Sequence, residues 1–322
     1  MIPMPRTLLI TWFLLCVASL WSAEPANGLL ARVGSDTITL AQVDAAIPAT
    51  AFGPQRTQMR RFRLERLIGI RRQQQYLITN HVTPTDAQVE SAWTAQQTGP
   101  LPMPCGCHFY TDFADYLTQS LLTRDEARAL VWIDCALDTG ATRAWDRLHP
   151  GDAGRVAVLA SEGPALRHSL MHLWQLTFPA RSSTPDGPSP RTPLPGGTAW
   201  QAARAALERL RQGESMATVA AHADDPGEAR RGGDAGLVDS NGPALRHAMG
   251  LSTRTPGLPD EPIPGYQSWL VLRWQEPTDQ DLYDYLRNRF LASERSRLED
   301  AAQAFSTPLP TPAGKALLAS GE

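Results

Sequence analysis

Short alternating patterns and long helical ones divide the chain between them. Leu30 to Val33 is a brief apolar run, Gly34-Ser35-Asp36 is a polar turn, and a second short extended run follows, which predicts a β-hairpin. Thr39 then stands as a helix N-cap, with Gln42 three residues on as its reciprocal partner. From there to about residue 150 the apolar positions recur at helical spacing. Thr85 with Gln88 and Thr123 with Glu126 mark two more helix starts, the second ahead of Leu130, Ile133 and Leu137. The string from His149 to Gly154, His-Pro-Gly-Asp-Ala-Gly, reads as the close of the helical region, and the domain boundary is placed between it and residue 166.

Beyond Leu173 the pattern changes. Leu173 to Phe178 is rich in branched and aromatic residues and predicts a strand. Pro179 to Gly197 is dense in Pro, Ser and Gly and predicts an extended loop. A helix is expected from Thr198, boxed by Gln201, with Trp200, Ala203, Leu207 and Leu210 on its buried stripe and Gly213 as its stop. A short helix over Met216 to His222, a helical turn at Leu245 to Leu251 and a strand over Trp269 to Trp274 complete the unit. Asp281 to Phe305 is helical, with Leu291, Leu298, Ala301, Ala302 and Phe305 on one face. The fold class is therefore α+β: a mostly helical N-terminal domain, a second domain with a small antiparallel sheet and flanking helices, and a C-terminal helix. The spans expected are 1–23 for a signal peptide, 24–165, 166–280 and 281–322.

The first of these spans rests on Arg6, the apolar run Leu8 to Trp21 and the small pair Ser22-Ala23. The run is shorter than the twenty or so residues that cross a bilayer, so cleavage is expected over membrane anchoring. The protein is then periplasmic or otherwise exported. Its 30 Lys+Arg offset 33 Asp+Glu, which argues against a nucleic-acid binder. One cationic cluster stands out: Arg60, Arg61, Arg63, Arg66, Arg71 and Arg72. It reads as the solvated face of a helix in preference to a site for an anionic partner.

Outside the signal segment the cysteines are Cys105, Cys107 and Cys135. Cys135 has two candidate disulfide partners, and export permits either pairing. Cys105, Cys107 and His108 are also plausible metal ligands, but no fourth ligand stands at a recognised spacing. No metal and no cofactor are expected, and the motifs of nucleotide-binding loops, zinc proteases and nucleophile elbows are missing from the sequence.

Residues 222–236 carry the most specific signal: a helix end, His222-Ala-Asp-Asp-Pro-Gly-Glu-Ala-Arg-Arg, then Gly232-Gly233-Asp-Ala-Gly236 leading into a strand. This turn resembles the signature of parvulin-type (PpiC-like) peptidyl-prolyl isomerases. The hairpin-then-helix opening resembles the start of exported chaperone-isomerases of the SurA and PrsA type. The resemblance implies a helical chaperone-like domain, a parvulin-like domain, and a C-terminal helix packed back on the first domain. It also implies proline-containing peptides and unfolded or partly folded exported proteins as partners.

Isomerising an X-Pro bond means twisting an amide against a resonance barrier of about 20 kcal/mol. No covalent step is needed. A site that holds the proline ring among apolar groups and favours the twisted amide suffices. Parvulins place two histidines on neighbouring central strands, a Cys or Asp in the acidic turn, and Met or Leu with Phe around the proline. Carried onto this chain, Asp225 takes the acidic-turn position, where its other reading is simply a turn former. Aligning on Pro179 puts Gln175 at the first histidine; sliding by three residues would offer His172, which lies on the opposite face of a strand. Gln175 is adopted. Leu270 takes the place of the second histidine and Trp269 that of the preceding Tyr, while Leu245 falls on the Phe and Met249 on part of the lining. Gln hydrogen-bonds without titrating near neutrality and Leu does neither. Losing several preorganised groups commonly costs on the order of a hundredfold in rate. The expectation is thus an exported folding factor whose isomerase domain is weak or degenerate. The alternatives are an active isomerase with a remodelled site and a dedicated assembly factor for one exported complex.

Overall fold

The structure is a computed structural model that describes residues 28–99, 110–180, 195–223, 225–239, 257–305 and 307–320. They form two compact units, one of residues up to Ala144 together with those from Leu291 onward, the other Trp145–Phe290. The signal segment, Cys105, Cys107, His108 and the 181–194 part of the Pro-rich loop lie outside the described residues.

The first unit opens with β1 (Leu29–Val33) and β2 (Asp36–Thr39), paired antiparallel, and β7 (Leu309–Pro310) adds to the other side of β1. Thr39 and Gln42 cap α1 (Leu40–Asp44) reciprocally, as the spacing predicts. The 27-residue α2 (Gly53–Thr79) then lays Leu64, Leu67 and Ile68 over Leu30, Ala31, Val33 and Ile38 of the sheet. The C-terminal α11 (Pro312–Ala319), N-capped by Thr311, closes this core with Leu317 and Leu318.

Helices α3 (Asp86–Thr98), α4 (Phe113–Gln119) and α5 (Arg124–Leu148) complete the helical part. Thr85 and Gln88 box α3. Thr123 and Glu126 exchange the same pair of bonds at the start of α5, at 2.8 and 3.2 Å. Aromatic packing of Trp93, Phe113 and Tyr116 fills the space among them. In α10 (Asp279–Ala304) Leu298 is buried against Leu77, Ile133 and Leu137, and Arg295 bridges Asp134 and Asp138.

The arginine cluster on α2 is not the solvated face that the sequence suggests. Arg63 is fully buried. Its five N–H donors are all used: Nε on Val43 O, Nη2 on Gln42 O, Nη1 on Leu121 O, and the fork Nη1/Nη2 on Glu126 at 2.6 and 2.7 Å. Arg66 donates to Ser120 O, and Arg60 with Arg56 holds Asp44. These arginines tie α2 to segments whose sequence distance hides the pairing.

The second unit begins where sequence punctuation is misleading. Pro150 does not end a helical region; it caps a new helix, α6 (Gly151–Ser169), because proline's missing N–H costs nothing at a helix start. The sheet follows, in the order β4-β3-β6-β5, all antiparallel: β3 (Leu170–Pro179), β4 (Asp234–Asp239), β5 (Ile263–Gly265) and β6 (Ser268–Gln275). Strands β3 and β6 are the central pair, in register from His172 opposite Gln275 to Pro179 opposite Ser268. On one face Leu176, Trp269 and Val271 pack against Ala203, Leu207 and Leu210 of α7 (Thr198–Arg211) and Met216 and Val219 of α8 (Met216–Ala220). On the other, Met171, Leu173, Leu272, Trp274 and Ile263 cluster with Leu270 and Val238. Thr198 does not cap α7. Gly197 occupies that position, and Gln201 turns back to Gly196 O at 3.2 Å.

Candidate functional site

The signature turn folds around two local devices. Asp225 N-caps α9 (Pro226–Arg231), accepting from Gly227 N–H at 2.6 Å, with Pro226 at the first helical position. The helix stops at Gly232, whose φ of 61° is left-handed, and Gly233 repeats that conformation at 76°. A Cβ on Gly233 would sit 3.2 Å from Leu176 Cδ2 and 3.3 Å from Gln175 O. The double glycine thus reverses the chain and lets it lie directly on β3, where Gln175 N–H donates to Gly233 O at 2.7 Å.

Strand β4 covers the edge of β3 only as far as Trp174. Past that point a side chain takes the place of a strand. Glu228, buried to 6% exposure on α9, accepts from Thr177 N–H at 2.7 Å and from Thr177 Oγ1 at 2.5 Å. Gln175 Nε2 in turn lies 3.2 Å from Thr177 Oγ1. Directly paired residues of antiparallel strands share a face, and Gln175 is paired with Leu272 and Thr177 with Leu270. The result is a short polar string, Gln175–Thr177–Glu228, bordering an apolar sheet face. Its chemistry is hydrogen bonding, with Leu270 as the neighbouring apolar contact.

Of the residues singled out from the sequence, the structure brings Gln175 and Leu270 onto this one face. Trp269 lies on the reverse face, 5% exposed among the side chains under α7. Asp225 is exposed and bonded within its own turn. Leu245 and Met249 lie outside the described residues. His172 is on the Trp269 side of the sheet, stacked on Trp174 with ring centroids 4.1 Å apart. Its Nε2 meets Asp234 Oδ1 at 2.9 Å, and its Nδ1 is 3.2 Å from Asp281 Oδ1 without hydrogen-bond alignment. Burial would raise the Asp281 carboxyl, but two hydrogen bonds from Thr278, helped by the nearby His172 ring, outweigh it and hold the group below the usual aspartate range.

Glu228 and Thr177 escaped the sequence reading. Asp225-Pro-Gly-Glu228 has capping-box spacing, which would turn the Glu back onto its own helix. Only the neighbouring strand edge draws it away. Among the described residues no group of His, Cys, Asp and Glu could hold a metal ion, and no helix is long and apolar enough to cross a membrane.

No protein-family model matches this chain, and no curated protein does. Among solved structures it is similar to PrsA from Bacillus subtilis, at 12% identity over 87% of this chain and 93% of that one, TM-score 0.41. It is also similar to the foldase protein PrsA from Streptococcus pneumoniae, at 13% identity over 91% and 99%, TM-score 0.39. Superposition this loose assigns no residue role and no activity.

Proposed function

We propose that this chain is an exported folding factor whose second unit grips proline-containing segments of client proteins and isomerises them weakly or not at all. The observation that supports it best is the middle of the sheet. Strand β3 lies beside β6, and the alignment on Pro179 and on the last strand puts Gln175 and Leu270 where the resembled family carries imidazoles. Leu270, partly exposed at the edge of the buried cluster on that sheet face, remains to meet a proline ring, at roughly 25 cal/mol per Å² buried. The paired titratable groups do not. A concavity of about 370 Å³ within the first unit has a mixed lining, with Leu67, Ile70 and Trp132 beside Arg71, Asp125 and Arg128. It suits holding client side chains as well.

Export is read from the opening apolar segment, Leu8 to Trp21, and clients from the resemblance of residues 222–236 to the parvulin turn. The full-length mature protein should suppress aggregation of a chemically unfolded exported protein at stoichiometric amounts. In a protease-coupled assay on a proline tetrapeptide it should show turnover far below that of an isomerase with both histidines. Efficient turnover that disappears in Asp225→Ala would replace this reading with that of a working enzyme.

A further inference from the structure

We infer that Glu228 and Thr177 are positioning residues that lock the carboxamide of Gln175, so that the site offers its peptide ligand a fixed hydrogen-bond acceptor. The inference rests on the proposed function and deepens it.

The polarity of the string follows from donor and acceptor counts. A carboxylate only accepts. Glu228 Oε2 takes the Thr177 backbone N–H, and Oε1 lies 2.5 Å from Thr177 Oγ1, so the hydroxyl proton is committed to Glu228. The lone pairs of Thr177 Oγ1 are then left to accept. The atom of Gln175 facing it at 3.2 Å has to be the amide nitrogen. Turning the carboxamide over would set two lone-pair oxygens against each other. Gln175 Oε1 is therefore directed away from Thr177, and the buried carboxylate of a different element holds it there. Thr177 and Gln175 are two apart on one strand, so both stand on the face that carries Leu270 and Leu272.

The ligand class follows from these groups. Apolar contact with the partly exposed Leu270 suits the proline ring, and Gln175 Oε1 suits a peptide N–H. Among the described residues no cation joins the string, so the string itself gives no preference for an acidic or phosphorylated residue beside the proline. The site takes a neutral, extended, proline-containing segment that supplies a backbone N–H.

The test is calorimetric titration of the mature protein with a blocked Ala-Ala-Pro-Phe peptide, together with the side-chain amide resonances of Gln175. Thr177→Val keeps the volume and removes the relay. It is expected to weaken peptide binding about three- to tenfold, the worth of one ordered hydrogen bond, and to collapse the dispersion of the Gln175 amide protons. Thr177→Ser restores the hydroxyl and should restore both readouts, which a general loss of packing would not allow. Unchanged affinity in Thr177→Val, or a Thr177→Ser variant that stays weak, overturns the inference alone. A wild-type protein that binds no proline peptide, but binds an unfolded client, overturns the proline-gripping reading and the inference together.

Discussion

Glu126 and Glu228 occupy the same local position, the third residue of a helix, three beyond a side chain that caps it. Their surroundings make them different objects. Glu126 returns to its cap, accepting from Thr123 N–H, and also takes the fork of the buried Arg63. Glu228 abandons its cap and crosses to a neighbouring strand, where it accepts from two neutral donors of one residue, Thr177. The first carboxylate is matched by a charge and ties segments about sixty residues apart. The second is bound to a side chain that leads toward the candidate site. A buried charge with a charged partner is a structural tie, and one held by neutral dipoles orients what it touches.

The comparison breaks most visibly at Arg63. Arg63→Ala strands Glu126 and three backbone carbonyls in the interior, and should cost the first unit about 3–5 kcal/mol, read as a fall in its urea midpoint. A shift under 1 kcal/mol would mean that the ion pair is not buried as described. Arg63→Lys should remain well short of wild type, since an ammonium cannot fill five planar donor directions.

At the other carboxylate the expected loss is smaller. Glu228→Ala leaves the Thr177 N–H at a covered sheet edge without an acceptor, at about 1–3 kcal/mol. Amide exchange at Thr177 should quicken more than at Leu176, whose side chain is core. Equal acceleration along β3 would show a global loss, not a local one.

Asp225→Ala sharpens the contrast between cap and site. The cap to Gly227 N–H is worth about 0.5–2 kcal/mol, and Asp225→Asn should keep most of it. If instead Asn abolishes peptide binding while preserving the melting temperature, Asp225 acts on ligand.

The smallest effect is a pH dependence in the first unit. A hydrogen bond from Arg60, with one from Arg56, outweighs burial and holds the Asp44 carboxyl below its usual 3.8. A depressed carboxyl adds stability that is present above that value and lost as pH falls through the folded one. Asp44→Asn should therefore narrow the gap to wild type as urea midpoints are followed from pH 5 to pH 3.

Capping boxes at Thr39, Thr85 and Thr123 were legible because each is closed within four residues, as were the apolar stripe of α7 and the two central strands. The meaning of Gly232-Gly233 was legible in kind, as a reversal. That the second glycine also admits the chain onto Leu176 needed the fold. Thr198 misled by a single position, since Gly197 could serve as cap with equal local ease.

What stays within one helical turn or one strand was decided by residue chemistry: periodicity, caps, and turns that only glycine or proline permit. What depends on a partner distant in the chain was decided by tertiary folding. Arg63 looked solvated because its acceptors come from Gln42, Val43, Leu121 and Glu126, and Glu228 went unnoticed because the bare edge of β3 is invisible in one dimension. A polar side chain goes where an unpaired donor or acceptor awaits it, and folding determines where those are left.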